Sequence, residues 1–297
     1  GVMPFGARAA ETTAQVEGQQ LKLGDDLSMH FYTKVEDATN AVATITVGGQ
    51  LKETYNLATM EPKDGLYDLS VHLGAPQMTE DIVLSVSDGN SEILNNTYSV
   101  QDYAHYLLKG NYTVETKNLV KELLNYGTKA QLYFKHKTDD LANVGYEIDT
   151  PALTEASTDV KVAGSVYGIY YYGSSMVFRS QIAIRYYFAA PNGIDGYTVT
   201  VDGEEYKLQV KNDLYYVEVD GIMPDEMATE MTVAATDGTD TLSFTYSPKA
   251  YIARMYNKES TSQELKNLLA AAGHYFSAAA VFTGVAEIRT GSLNFRS

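Results

Sequence analysis

Short alternations of apolar and polar residues fill the first hundred positions, and stripes at helical spacing follow them. Ile45 and Val47 alternate with Thr44 and Thr46, the period of a half-buried strand. Read this way, strands fall near 14–23, 27–35, 41–47, 50–57, 66–73, 80–87 and 91–98, with Gly48-Gly49 and Asp88-Gly89-Asn90 as turns between them. Ser99 then supplies an N-cap with Asp102 three residues on, predicting a short helix over 99–109 that ends at Gly110. A longer helix begins after Thr113 and places Leu119, Leu123, Tyr126, Ala130 and Tyr133 on one face.

The whole pattern recurs. Tyr98-Ser99-Val100-Gln101-Asp102-Tyr103 aligns with Tyr246-Ser247-Pro248-Lys249-Ala250-Tyr251, and Lys117-Asn118-Leu119 with Lys266-Asn267-Leu268. Tyr126, Ala130 and Tyr133 align with Tyr275, Ala279 and Phe282, Met78 with Met227, and Asp88-Gly89 with Asp237-Gly238. Val199 and Val201 alternate with Thr198 and Thr200 before the Asp202-Gly203 turn, and Pro248 takes the first helical position after Ser247. Leu265, Leu268, Ala272, Tyr275, Ala279 and Phe282 form the second stripe, with Thr261 and Glu264 as a capping box. Each stripe is expected to pack on its own helical partner and sheet.

The expected fold is therefore α+β: two tandem copies of an immunoglobulin-like β-sandwich followed by a helical hairpin. Copy one covers 11–146, with its sandwich at 13–98 and its hairpin at 99–136. Copy two covers 156–285, with its sandwich at 157–246 and its hairpin at 247–284. The aperiodic stretch from Lys137 to Ser157 reads as the connection, with the boundary near 150, and 286–297 as a tail without a counterpart.

Composition narrows the function more than the fold. A net charge of −16 over 297 residues argues against nucleic acid and against anionic lipid, both of which draw on clustered Lys and Arg. There is no Cys, hence no disulfide or thiolate chemistry. Residues 1–10 read as the remnant of a signal peptide, with Ala7 and Ala9 at the −3 and −1 places of a cleavage site, so export to the cell surface or medium is expected. No stretch reaches the roughly 20 apolar residues of a membrane span, and no membrane insertion is expected.

No catalytic signature of the nucleophile-elbow, zincin, P-loop or dinucleotide type occurs. His30, His72, His105, His136 and His274 lie at no metal-ligand spacing from one another, and none recurs between copies: His30 aligns with Arg185 and His274 with Asn125. Asp25-Asp26, Asp139-Asp140 and Asp237-Gly238-Thr239-Asp240 read as turns or connections rather than paired catalytic acids or a calcium loop. No enzyme, metal or cofactor is expected. The remaining signal is aromatic: 24 Tyr and no Trp, with fourteen of the Tyr after residue 150. Adjacent strand residues point to opposite faces, so a run such as Tyr170-Tyr171-Tyr172 leaves at least one ring outward. Residues that recur in both copies are accounted for by packing, which turns attention to the 165–188 segment, where copy two looks expanded and has no close match. Tyr167, Tyr170, Tyr171, Tyr172, Tyr186 and Tyr187 are the candidate partner-binding residues. A Tyr-rich core with solvated phenols is the competing reading.

The block from Tyr98-Ser99-Val100-Gln101-Asp102-Tyr103 through Leu123-Leu124-Asn125-Tyr126-Gly127, Ala130-Gln131, Tyr133-Phe134 and Thr138-Asp139-Asp140-Leu141-Ala142-Asn143 resembles a repeat of large secreted or surface proteins from gut Gram-positive anaerobes. The resemblance covers nearly the whole chain, with copy two eroded at Ala271-Ala272-Gly273-His274-Tyr275. It is similar in architecture to superantigen-like immunoglobulin-binding proteins of gut commensals, which bind antibody heavy-chain variable domains outside the antigen site. That resemblance implies a host-protein partner, immunoglobulin above all, and carries over no binding residue. A glycan-binding module, with Tyr rings stacked on sugars, and a structural spacer of a larger surface protein remain the alternatives.

Overall fold

In a computed structural model the described residues are 12–146, 152–178, 181–285 and 293–294. The proposed signal remnant and most of the tail lie outside them. Among the described residues the chain is a mixed sheet-and-helix protein with four sheets and four α-helices. Copy one contributes β1 (Ala14–Leu23), β2 (Leu27–Val35), β3 (Val42–Val47), β4 (Gln50–Asn56), β5 (Tyr67–Leu73), β6 (Ile82–Ser87), β7 (Glu92–Tyr98), α1 (Val100–Lys109) and α2 (Val114–Phe134). Copy two contributes β8 (Tyr170–Val177), β9 (Ala183–Ala189), β10 (Thr198–Val201), β11 (Glu204–Tyr206), β12 (Gln209–Lys211), β13 (Leu214–Val219), β14 (Met231–Thr236), β15 (Thr241–Tyr246), α3 (Pro248–Asn257) and α4 (Gln263–Val285). A two-residue strand, β16 (Leu293–Asn294), comes last.

The strand orders are β16-β1-β2-β5 and β4-β3-β6-β7 in copy one, and β12-β13-β9-β8 and β11-β10-β14-β15 in copy two. All pairings are antiparallel except β16 on β1, which is parallel. Alternate residues face inward: Ala43, Ile45 and Val47 on β3, Ile82, Leu84 and Val86 on β6, and Leu69, Val71 and Leu73 on β5 are buried. In copy two the inward rings of both sheets meet, Tyr186 lying 5.9 Å from Phe244 and 6.2 Å from Tyr246.

These orders correct the expectation of an expanded 165–188 segment. β8 and β9 hold the places that β1 and β2 hold in copy one, down to a shared bulge between Val16 and Gly18 and between Tyr171 and Gly173. The real length difference lies later. β4 is one continuous strand on β3, whereas its counterpart is split into β11 on β10 and β12 on β13, so the chain changes sheets.

The helices are capped much as the sequence dictates. Ser99 and Asp102 form a reciprocal capping box, and Ser247 accepts from Ala250 N–H at 3.1 Å. On α4 the cap is Ser262, which accepts from Leu265 N–H at 3.2 Å, one residue beyond the expected Thr261. The two stripes do not turn to their own sheets. Each long helix does pack on its own helical partner, α2 on α1 and α4 on α3, but α2 and α4 also pack on each other, and Tyr126 stacks on its counterpart Tyr275 with centroids 5.3 Å apart and planes 13° apart. Leu119, Leu123 and Ala130 on one side and Leu268, Ala272 and Ala279 on the other are fully buried. Tyr133, expected in the stripe, is 37% exposed and rings with Phe134 instead.

The stretch after α2 is also more ordered than its aperiodic sequence suggests. Gln131, wholly buried, accepts from Ala142 N–H at 2.9 Å and donates to the carbonyls of Asp140 (2.8 Å) and Lys137 (3.2 Å). Gln101 donates to the Leu141 and Ala142 carbonyls, and Thr128 and Asn125 hold Asn143. Residues 137–143 thus run back along α2, fixed by side chains spaced three apart on one helix face.

Candidate functional site

The 165–188 tyrosines sit on β8, on β9 and on the turn leading into them. That turn is closed by Val166 and Ile169, with Gly168 at a φ of 84° that glycine accepts without strain. Tyr197 locks it by donating its hydroxyl to the Tyr167 carbonyl at 2.6 Å. The result is three outward rings in one short stretch: Tyr167, Tyr170 and Tyr172 are 87%, 55% and 68% exposed. Tyr172 lies two residues from Tyr170 and shares its outward face, and as the extra residue of the bulge it lets Gly173 take the next outward place, opposite Tyr187.

Two of the six candidates turn inward. Tyr186 is fully buried among Phe244, Tyr246 and Met231 and cannot reach a partner. Ile184 and Phe188 flank it at two-residue spacing, so all three share the inner face. Tyr171 likewise lies 4.0 Å from the Phe244 ring, with its hydroxyl on Ser174 at 2.5 Å. Burial raises the phenol pKa of both.

Tyr187 faces outward and brings in residues that the sequence pattern alone does not single out. Register sets Tyr187 opposite Gly173 on one side and Tyr216 on the other, and Arg185 opposite Ser175 and Glu218. Arg185 Nε donates to Glu218 at 2.7 Å while its guanidinium lies 4.5 Å from the Tyr216 ring centroid. Tyr187 and Tyr216 rings are 5.4 Å apart, and the Tyr216 hydroxyl donates to Gln209 at 3.2 Å. Desolvation works against the Arg185 cation, but Glu218 and Tyr187 outweigh it and hold its pKa above the usual value. Burial would raise the Tyr187 phenol, yet Ser175, Arg185 and Lys211 together bring it below the usual value. The outer face of β8, β9, β13 and β12 is therefore a fixed array of Tyr and Arg beside freely exposed Tyr. Arg185 was legible as the one charge in the Ala183–Ala189 alternation; Tyr216, Glu218 and Gln209 depended on strand register.

Three of the histidines are engaged in pairs with carboxylates: His30 with Asp68 at 2.7 Å, His72 with Asp26 at 2.8 Å and His136 with Glu80 at 2.6 Å. Asp237 accepts from the amides of Thr239 and Asp240 within its own turn, which lowers its pKa. Among the described residues no three His, Cys, Asp or Glu side chains gather as metal ligands, and no helix is long and apolar enough to cross a membrane.

A second concavity lies at the copy-two counterpart of the groove that 137–143 occupy in copy one. Lys249 N–H bonds to the Met227 carbonyl as Gln101 N–H bonds to that of Met78, which fixes the correspondence. Two of the polar anchors are gone, however: Thr79 and Gln131 are matched by Ala228 and Ala280, while Thr128 is matched by Ser277, which keeps a hydroxyl. A hollow of about 240 Å³ remains, partly covered by Leu153 and Glu155. Protein-family models and curated proteins, compared with the chain, give no match.

Proposed function

We propose that this is an exported, non-enzymatic binding protein of a Gram-positive gut bacterium, in which each copy is an immunoglobulin-like sandwich followed by a helical hairpin. Its partner is a host protein, and the most specific candidate is an immunoglobulin bound through the variable domain of the Fab. The fold reading is supported by the strand orders β1-β2-β5 and β4-β3-β6-β7, which recur in copy two with the sheet switch of β11 and β12. The binding reading rests on one observation: the exposed Tyr167, Tyr170 and Tyr172 beside the Arg185–Tyr187–Tyr216 array. Tyr and Arg dominate protein-binding hot spots because they bury much area at little entropic cost. Fc is not the expected target.

Retention of serum immunoglobulin on the immobilised chain, with Fab and Fc applied separately, tests this. Fab is expected to be retained at micromolar protein. The triple change Tyr167→Ala, Tyr170→Ala, Tyr172→Ala should weaken it about 100-fold or more, at roughly 1–2 kcal/mol for each ring removed. No Fab retention, or full retention by the triple variant, removes the reading.

A further inference from the structure

Edge strands expose unpaired N–H and C=O groups, and folded proteins guard them with charge, with proline or with a covering segment. In this chain the guards are easy to find. The edge strands β4, β5, β7, β11 and β12 carry Lys52 and Glu53, Asp68, Glu92, Glu204 and Glu205, and Lys211. β15 has no charge but is covered by Ala163, which exchanges two 2.8 Å backbone bonds with Ser243. β8 has neither guard. It ends its sheet, no strand pairs with its outer side among the described residues, and it lies in a run from Val162 to Phe178 without a single charged residue. Such a run is unusual in a chain of which 20% is charged.

The same position in copy one shows what such an edge accepts. β1 carries Glu17 and Lys22 and still receives β16, which pairs in parallel at Leu21 and Lys22. By register against β2 and β9, those two positions correspond to Met176 and Val177 on β8. There the Tyr251 hydroxyl of α3 sits against the Met176 backbone and closes that end. The open part of the edge is thus Tyr170 to Ser175. Its side chains suit an approaching backbone: Gly173, Ser174 and Ser175 are small, and the Tyr170 and Tyr172 rings stand at one end with Tyr167 beside them.

We infer that the partner contributes an extended edge strand, which adds to β8 over Tyr170–Ser175 and continues the β12-β13-β9-β8 sheet into a β-domain of the partner. This rests on the protein-binding reading above and specifies its geometry. Main-chain bonds supply the affinity, and the three exposed tyrosines grip the side chains of the added strand. The absence of charge serves this purpose, since each Lys or Glu on the edge would have to be desolvated when the second strand docks.

Amide hydrogen exchange of the full chain, with and without saturating Fab, tests the inference. The amides within Tyr170–Ser175 that point away from β9 should slow at least tenfold in the complex. Those of β9 and β13, already paired, should change less than twofold. Fab that binds while exchange across Tyr170–Ser175 stays the same overturns the edge inference and leaves the binding reading standing. No Fab binding removes the binding reading, and the edge inference with it. Slowed exchange at these amides in the chain alone, with a doubled mass in sedimentation, makes the added strand a second copy of this chain and overturns the assignment to a partner.

Discussion

Replacing Gln131 by alanine removes the buried amide that holds residues 137–143 against α2. Three backbone bonds disappear: one accepted from Ala142 at 2.9 Å and two donated, to Asp140 at 2.8 Å and Lys137 at 3.2 Å. A neutral hydrogen bond contributes about 1 kcal/mol net, and a buried amide left without a partner costs about 1–3 kcal/mol. Ala142 is fully buried, so its N–H is stranded unless the segment detaches. Detachment limits the loss to what attachment was worth, about 3 kcal/mol. That corresponds to roughly a 100-fold rise in the opening equilibrium of the segment. Amide exchange of Ala142 and Asn143 reads this directly, and protection there should fall by about two orders of magnitude. Gln131→Glu keeps the acceptor but sets a buried carboxylate oxygen against the Lys137 and Asp140 carbonyls, and should lower protection at least as far as alanine does. A drop in Ala142 protection of less than threefold in Gln131→Ala would show that the segment is held by Gln101, Thr128 and Asn125 alone, and would refute the reasoning. Copy two already carries alanine at this position, Ala280, and its groove holds no such polar clasp.

The stacked pair Tyr126 and Tyr275 should give about 3 kcal/mol or more of destabilisation for either alanine variant, with a coupling of about 1 kcal/mol in a double-mutant cycle followed by denaturant. Tyr275→Phe, by contrast, removes a buried hydroxyl that has no hydrogen-bond partner among the described residues and should leave the denaturation midpoint unchanged or raise it. Tyr98 is pushed up to about 12, by burial first and then by Asp102 and Tyr106. A phenol whose folded pKa is raised stabilises the fold fully below its ordinary value near 10 and loses that contribution as pH rises toward 12. Stability should therefore fall across pH 10–12, and Tyr98→Phe should make that fall shallower by the share of Tyr98 while the other raised phenols, Tyr171 and Tyr186 among them, keep theirs; denaturant midpoints measured against pH read this. Gly168→Ala places a methyl against the Tyr197 hydroxyl at a positive φ, and should cost about 1–3 kcal/mol while weakening Fab retention through misplacement of Tyr167.

What the sequence disclosed and what it hid divide along a physical line. Strands, turns and caps are local, so alternation around Ile45, the Asp88-Gly89 turn and the Ser99–Asp102 box could be read from neighbours in the chain. The α2 and α4 stripes announced that something covers them, but a stripe carries no address, and each turned out to cover the other. Residues 137–143 have no period because their stability comes from side chains on another element, Gln101 and Gln131 above all. The resemblance in sequence of β8–β9 to β1–β2 had faded because Tyr170, Tyr171, Tyr172 and Tyr186 stand where copy one has Gln15, Val16, Glu17 and Phe31, and Arg185 where it has His30, while the bulge and pairing persisted. Tyr186 and Tyr187 were separable in principle by their spacing from Ile184 and Phe188. Tyr216 and Glu218 were not, since only register across two strands brings them to Arg185.

The contact of Tyr126 with Tyr275 joins a residue to its own counterpart. A surface that meets its own copy in this way is what a two-fold homodimer uses, and residues on the axis touch themselves. The tandem chain therefore has the geometry of a dimer whose subunits have been tied together. Tying them turns a concentration-dependent association into an intramolecular one, so the pairing survives dilution. It also frees the two halves from having to remain alike. One half could keep its clasp and its charged edge while the other lost both, and the differences between β1 and β8 record that freedom.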